Sequence, residues 1–183
     1  MSETRRDQVP GAVRPARTVV LIGPMGAGKS RIGHRLASEL GLPFVDTDQR
    51  IVAGHGPIPE IFARDGEHEF RRIEREAVAA AIREQAVVAL GGGAVLHPDT
   101  RTDLETLQAV TVVLLRVDAD AVEARLAGGG RPLLEQGGIE RWTQILAERE
   151  PVYTALADID VDTSRRPVAR IVEDITGRLG ASE

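Results

Sequence analysis

The octapeptide Gly23 to Ser30, GPMGAGKS, restricts the possible folds of this chain more than any other segment. It follows a short β-branched apolar run, Thr18 to Ile22, and opens the helical pattern KSRIGHRLASEL, which Gly41 stops. G-x4-G-K-S between a strand and a helix is a phosphate-binding loop. Its glycines let the backbone curl so that successive N–H groups face phosphate oxygens, and the helix N-terminus adds its dipole. The ligand this implies is a nucleoside triphosphate, ATP in the first instance. Lys29 is expected at the outer phosphates and the Ser30 hydroxyl at Mg2+. Of 22 arginines and one lysine in the chain, the lysine is Lys29. A compact ammonium fits inside a ring of backbone amides where a planar guanidinium does not.

The chain's 183 residues suit one domain. Aromatics are only 3%, so the core must be aliphatic and base stacking on aromatic platforms is disfavoured. A net charge of −5 argues against a general nucleic-acid binder. With no cysteine, thiolate catalysis and zinc–thiolate sites are excluded. There is neither an apolar run of membrane-spanning length nor a signal-peptide hydrophobic region, so a cytoplasmic location without membrane partners is expected. Residues 1–17, rich in Pro, Gly and Arg, read as a disordered tail before a single domain, 18–183.

Strand patterns at 18–22, 42–45, 86–90, 111–117 and 159–161 alternate with helical ones. The helices are expected over 29–40, after Asp48, over about 67–85, 98–107, 119–126 and 139–156, and after Pro167. The segment GHGPIP reads as a break. Such alternation implies an α/β fold, a mainly parallel sheet covered on both faces, with ligands at the carboxyl ends of the strands. The loop at Gly23, the DTD at Asp46 to Asp48 and the triplet Gly91 to Gly93 all fall at such ends. They should meet in one cleft. Glycines flanking a charged centre over about 127–138 suggest a mobile lid.

A phosphate loop alone leaves kinases, GTPases and motor or repair ATPases open. Asp46 and Asp48 can divide between Mg2+ and an acceptor hydroxyl, or serve as a helix N-cap pair. In FARDGEHEFRRIE, Phe70 suits the core. Arg71, Arg72 and Arg75 lie among glutamates, as a ligand clamp or as a solvated salt-bridged face. The glycine triplet allows close approach of a ligand, or simply turns the chain. Arg131 in the lid can reach a transferring phosphoryl group, and Arg149 closes a later helix.

Taken together, GPMGAGKS, DTD, IFARDGEHEFRRIE, LGGGAV, GGGRPLL and ERE-P-Y, in this order from Thr18 to about Leu179, resemble shikimate kinase. The resemblance implies a nucleoside-monophosphate-kinase-like three-layer sandwich with a five-stranded parallel sheet and a lid. It implies transfer of the ATP γ-phosphoryl group to the 3-hydroxyl of shikimate by a monomer. By it, Gly26, Ala27, Gly28, Lys29, Ser30 and Arg31 surround the nucleotide phosphates, Arg125 and Arg166 flank the adenine, and Arg131 covers the phosphates. Asp48 is the base and holds the reacting hydroxyls. Asp46 lies near Mg2+ with Ser30. Arg71 and Arg149 clamp the carboxylate, and Gly91, Gly92 and Gly93 line the substrate. Two segments depart from the family pattern: Arg31, where threonine is common, and AGHGPIP, whose prolines could stiffen the acceptor flap. The rivals are another small-molecule kinase of this fold, such as a gluconate kinase, and a non-catalytic ATP-binding regulator.

Overall fold

The computed structural model describes residues 18–127 and 138–181. The expected tail, and the expected lid except for its end residues 127 and 138, lie outside them. Five strands, β1 (Thr18–Ile22), β2 (Phe44–Asp46), β3 (Val87–Ala89), β4 (Val110–Arg116) and β5 (Ile159–Asp162), form one parallel sheet in the order β2-β3-β1-β4-β5. Val20 of the central strand lies between Val88 and Val112. The helices are α1 (Lys29–Leu40), α2 (Thr47–His55), α3 (Ile58–Ala81), α4 (Pro98–Thr106), α5 (Ala119–Ala127), α6 (Gly138–Leu156) and α7 (Val168–Ala181).

Every β1 side chain is buried, because helices cover both faces of the sheet. Alternate residues enter two cores. Val19 and Leu21 join Ile32 and Leu36 of α1 and Ile171 and Ile175 of α7. Val20 and Ile22 join Val78 of α3, Leu104 of α4 and Tyr153 of α6. Each buried Val, Leu or Ile contributes roughly 1.5–3 kcal/mol, so an aliphatic core of this extent needs few aromatics. A third cluster, Ile51, Ile61, Phe70 and Ile73, fastens α2 to α3. Helix α6 touches both main cores, with Trp142 in the first and Tyr153 in the second. It therefore crosses the sheet rather than lying on one face.

The chain steps from β1 outward to β2 and β3, then back past β1 to β4 and β5. The order of strands reverses at the carboxyl end of β1, where the phosphate loop begins, and such a reversal opens a crevice.

The segment around GHGPIP differs from expectation. It is not a break leading directly to residue 67, since α3 already starts at Ile58. Pro57 and Pro59 fall at the helix start, where a missing N–H costs nothing and the fixed φ suits a first turn. The long helix expected from residue 67 follows a kink at Gly66, with φ 82° and ψ 171°, a geometry suited to glycine. It ends at Ala81 rather than 85, because Ile82, Arg83 and Glu84 donate into the last helical carbonyls and turn the chain toward β3.

Candidate active site

The phosphate loop adopts the curl that its glycines allow, with φ of 135°, 84° and 89° at Gly23, Gly26 and Gly28. Gly28 stands at the N-cap of α1 with no side-chain cap, leaving the helix N-terminus to a ligand. The ammonium of Lys29 donates to the carbonyls of Gly23, at 2.7 Å, and Pro24, at 3.0 Å. Burial lowers its pKa to about 8, against the opposing pull of Asp48 and Asp46.

Of the aspartate pair, Asp46 is the N-cap of α2. One oxygen of Asp46 caps α2, accepting from the N–H of Asp48 at 3.1 Å and of Gln49 at 3.2 Å. Its other oxygen accepts from the Ser30 hydroxyl at 2.7 Å. Between the aspartates, Thr47 is fully buried. Its hydroxyl donates to the Ala89 carbonyl and accepts from the Gly91 N–H, both at 3.2 Å. Thr47 thereby ties the start of α2 to the end of β3 and sets Asp48 beside the glycine triplet. Burial pushes the Asp48 carboxyl up, and the charges of Asp46 and Glu74 push it further. Lys29 and Arg71 oppose them.

Gly91, Gly92 and Gly93 each stand against a functional group. A β-carbon on Gly91 would fall 2.6 Å from Asp48 Oδ1, and one on Gly93 2.9 Å from Arg71 Nη1. One on Gly92 would meet Arg149 Nη1 at 3.4 Å. The Tyr153 hydroxyl donates to the Gly92 carbonyl at 2.6 Å.

A cleft of about 860 Å3 joins these groups. It is lined by the loop from Pro24 to Gly26 and from Gly28 to Arg31, by Asp46, Asp48, Gly91 and Gly92, and by Trp142, Arg149 and Tyr153 of α6. Ala27 is buried beneath the loop. Arg149 makes no ion pair with another described residue, so a cation faces the cleft without a carboxylate of its own. Arg71 and Gly93 do not line this cleft; the Arg71 guanidinium lies against Gly93, with Glu74 at 2.7 Å and Glu67 at 3.4 Å. The salt-bridged surface reading does hold for Arg72, which pairs with Glu69 and Glu76. Arg75 turns away to Asp103.

Arg125 lines the cleft and donates to the Gly26 carbonyl at 2.7 Å. Arg166 does not line it: its guanidinium meets Asp174 at 3.0 Å and the Arg170 carbonyl, both on α7. Arg131 lies outside the described residues.

Sequence reasoning left out Glu74, Thr47, Trp142 and Tyr153. Glu74 is the last letter of G-E-x-x-F-R-x-x-E, but its burial, at 5% exposure, separates it from the neighbouring surface glutamates. Tyr153 is the last letter of ERE-P-Y, and for Trp142 the one signal was helical spacing from Arg149, at i−7, which with Tyr153 at i+4 places all three near one face of α6.

The family model described as shikimate kinase matches residues 25–179. A shikimate kinase of Mycobacterium avium is 48% identical over 172 residues, 92% of this chain and 96% of that protein. One of Stenotrophomonas maltophilia is 48% identical over 155 residues, 82% and 85% of the two chains. Among solved structures, a shikimate kinase from Acinetobacter baumannii in complex with shikimate superposes with a TM-score of 0.82 at 30% identity, covering 92% of this chain and 99% of that one. A gluconokinase from Sinorhizobium meliloti shares the fold at a TM-score of 0.64 and 18% identity.

Proposed function

The chain belongs to the shikimate kinase family, and from that premise we propose that its cleft transfers the γ-phosphoryl group of ATP to the 3-hydroxyl of shikimate, giving shikimate 3-phosphate and ADP for aromatic amino-acid biosynthesis. The observation that carries this reading is the meeting of two unlike halves in one cleft. Lys29 and the loop amides form an anion site at one end. Asp48, with Arg149 beyond it, which has no ion pair among the described residues, forms a site for a hydroxyl next to a carboxylate at the other.

The role proposed for each described group is argued from its surroundings, and that of Arg131 from the family. Arg149 and Arg71 hold the shikimate carboxylate, Arg71 being held in turn by Glu74. Asp48 accepts the proton of the 3-hydroxyl as that oxygen bonds to the γ-phosphorus and the bond from phosphorus to the ADP oxygen breaks. Its raised proton affinity suits a general base better than an exposed carboxylate would. Lys29 offsets charge on the outer phosphates, and Arg131 is assigned the same task. Gly91 to Gly93 let the ring approach the backbone. Arg125 borders the adenine; Arg166, held on α7, is a weaker candidate for its other side.

The Ser30 hydroxyl and Asp46 carboxylate form a pair of hard oxygen donors beside the phosphate loop. That fits Mg2+, which binds through one or two protein oxygens together with substrate phosphates. When bound, the ion would neutralise phosphate charge. Positioning and charge stabilisation then supply most of the rate. Among the described residues no helix is long and apolar enough to cross a membrane. We assign the enzyme to the cytoplasm, where ATP is regenerated.

ADP release with ATP, Mg2+ and shikimate, compared with gluconate and with no acceptor, tests the reading. Release that depends on shikimate is expected. Turnover with gluconate alone would assign the chain to a sugar-acid kinase, and ATP binding without any turnover would make it a regulator.

A further inference from the structure

The carbonyls of the phosphate loop are held one by one by side chains, two by the loop's own lysine and three from outside it. Lys29 takes those of Gly23 and Pro24. The indole N–H of Trp142 takes that of Met25 at 2.9 Å. Arg125 takes that of Gly26 at 2.7 Å. The Thr163 hydroxyl reaches that of Ala27 at 3.0 Å. Five consecutive carbonyls thus have side-chain donors, three of them from beyond α1.

The Trp142 bond differs from the others in what it restrains. In a trans peptide the carbonyl and the N–H point in opposite directions within one plane, and there is no cis bond among the described residues. The carbonyl of Met25 shares its plane with the N–H of Gly26. Gly26 has φ 84° and no Cβ, so this plane meets little steric resistance to turning over. Turned over, it would present a carbonyl oxygen to the phosphates in place of an N–H. The Met25 side chain is half exposed and does not anchor it. Trp142 is anchored: it is only 4% exposed, packed in the core with Leu21, Ala27 and Val122, and its one polar atom has a single donor role. It also sits two turns before Arg149 on α6, so the same rigid helix meets the nucleotide and the acceptor ends of the cleft.

We propose that Trp142 is a positioning residue for phosphoryl transfer, holding the Met25–Gly26 peptide so that the Gly26 N–H faces the nucleotide phosphates. The inference rests on the phosphate-loop reading above. The sharpest variant replaces Trp142 with β-(3-benzothienyl)alanine, which keeps the shape of the ring system and loses only the N–H. Trp142→Phe is the simpler companion. Calorimetric titration of the folded, full-length protein with Mg-ATP and, separately, with shikimate is the measurement. The Kd for ATP should weaken about tenfold, the size of one lost buried hydrogen bond. The Kd for shikimate should stay within twofold and the thermal midpoint of the benzothienyl variant within about 5 °C of the unmodified protein, the shift that loss of this one bond would itself produce. An unchanged ATP Kd in the benzothienyl variant would overturn the proposal. So would equal weakening of both ligands with a lowered midpoint, which would make Trp142 a packing residue. The family reading fails separately, if the unmodified protein binds ATP yet does not phosphorylate shikimate.

Discussion

Asp48 Oδ1 lies 2.6 Å from the point where a β-carbon on Gly91 would sit. The carboxylate proposed as the base is therefore seated against bare backbone, and the space beside it is set by an absent side chain. Gly91→Ala should push Asp48 off its position without touching the phosphate loop. A shift of about 1 Å at a reacting group costs on the order of 10²-fold in rate. We expect kcat to fall by about that factor with the ATP Kd unchanged, measured by coupled assay and calorimetry. Retention of full kcat would show that Asp48 has room to move.

Asp48→Asn keeps the shape and removes the proton acceptor. Turnover should fall about 10²- to 10⁴-fold, the usual worth of general base catalysis, while ATP still binds. Activity close to that of the unmodified enzyme would remove Asp48 from the mechanism.

Glu74→Gln tests the pair behind the glycine triplet. The Arg71 guanidinium loses its 2.7 Å carboxylate partner, so the KM for shikimate should rise more than the KM for ATP. The buried change should also cost about 1–3 kcal/mol of stability. The pH profile carries a sign. Glu74 is one of the charges that raise the Asp48 pKa, and the base works only when deprotonated. Activity falls as pH drops through that pKa, so the acid limb of kcat/KM should move to lower pH in the variant. A limb that stays in place would separate Glu74 from Asp48.

Lys29 should behave as an unusually reactive amine. With its pKa lowered from 10.5 to about 8, its neutral fraction at pH 8 far exceeds that of an ordinary lysine. Amine-directed labelling of the full chain, read by peptide mass spectrometry, should modify Lys29 and the N-terminus. Labelling of Lys29 should rise with a midpoint near pH 8 and be suppressed by ATP. A midpoint near 10.5 would show that solvent reaches the ammonium freely.

Ser30→Ala removes the hydroxyl that meets Asp46 at 2.7 Å and leaves the Asp46 cap of α2 intact. The Mg2+ concentration for half-maximal rate should rise about tenfold, the effect of losing about 1.4 kcal/mol of binding, with the fold unchanged by circular dichroism. An unaltered Mg2+ requirement would move the ion away from Ser30.

The strands and most helices were legible because their signals are local. β1 was read at its full extent from a five-residue apolar run, and Gly41 does stop α1, with φ 66°. The start of α3 was not legible, since two prolines near a glycine read as a break until Ile61 is seen packed against Ile51 and Phe70. In the same way, the arginines of Phe62 to Glu74 look alike as letters. Only burial separates Arg71 and its partner Glu74 from the solvated pairs of Arg72.

The sequence alone determined that a phosphate loop follows the first strand, that its lysine stands alone among arginines, and that an acidic pair and three glycines end later strands. These depend on short-range stereochemistry, which a few neighbouring residues settle. Only the tertiary structure decided which groups meet. It put Asp48 against Gly91, Arg149 beside Gly92 and Trp142 on the carbonyl of Met25, and it held Arg166 back on α7. Those pairings join residues up to 117 positions apart. Their geometry follows from how α2, α3 and α6 pack at the carboxyl edge of the sheet, and local spacing carries no record of that.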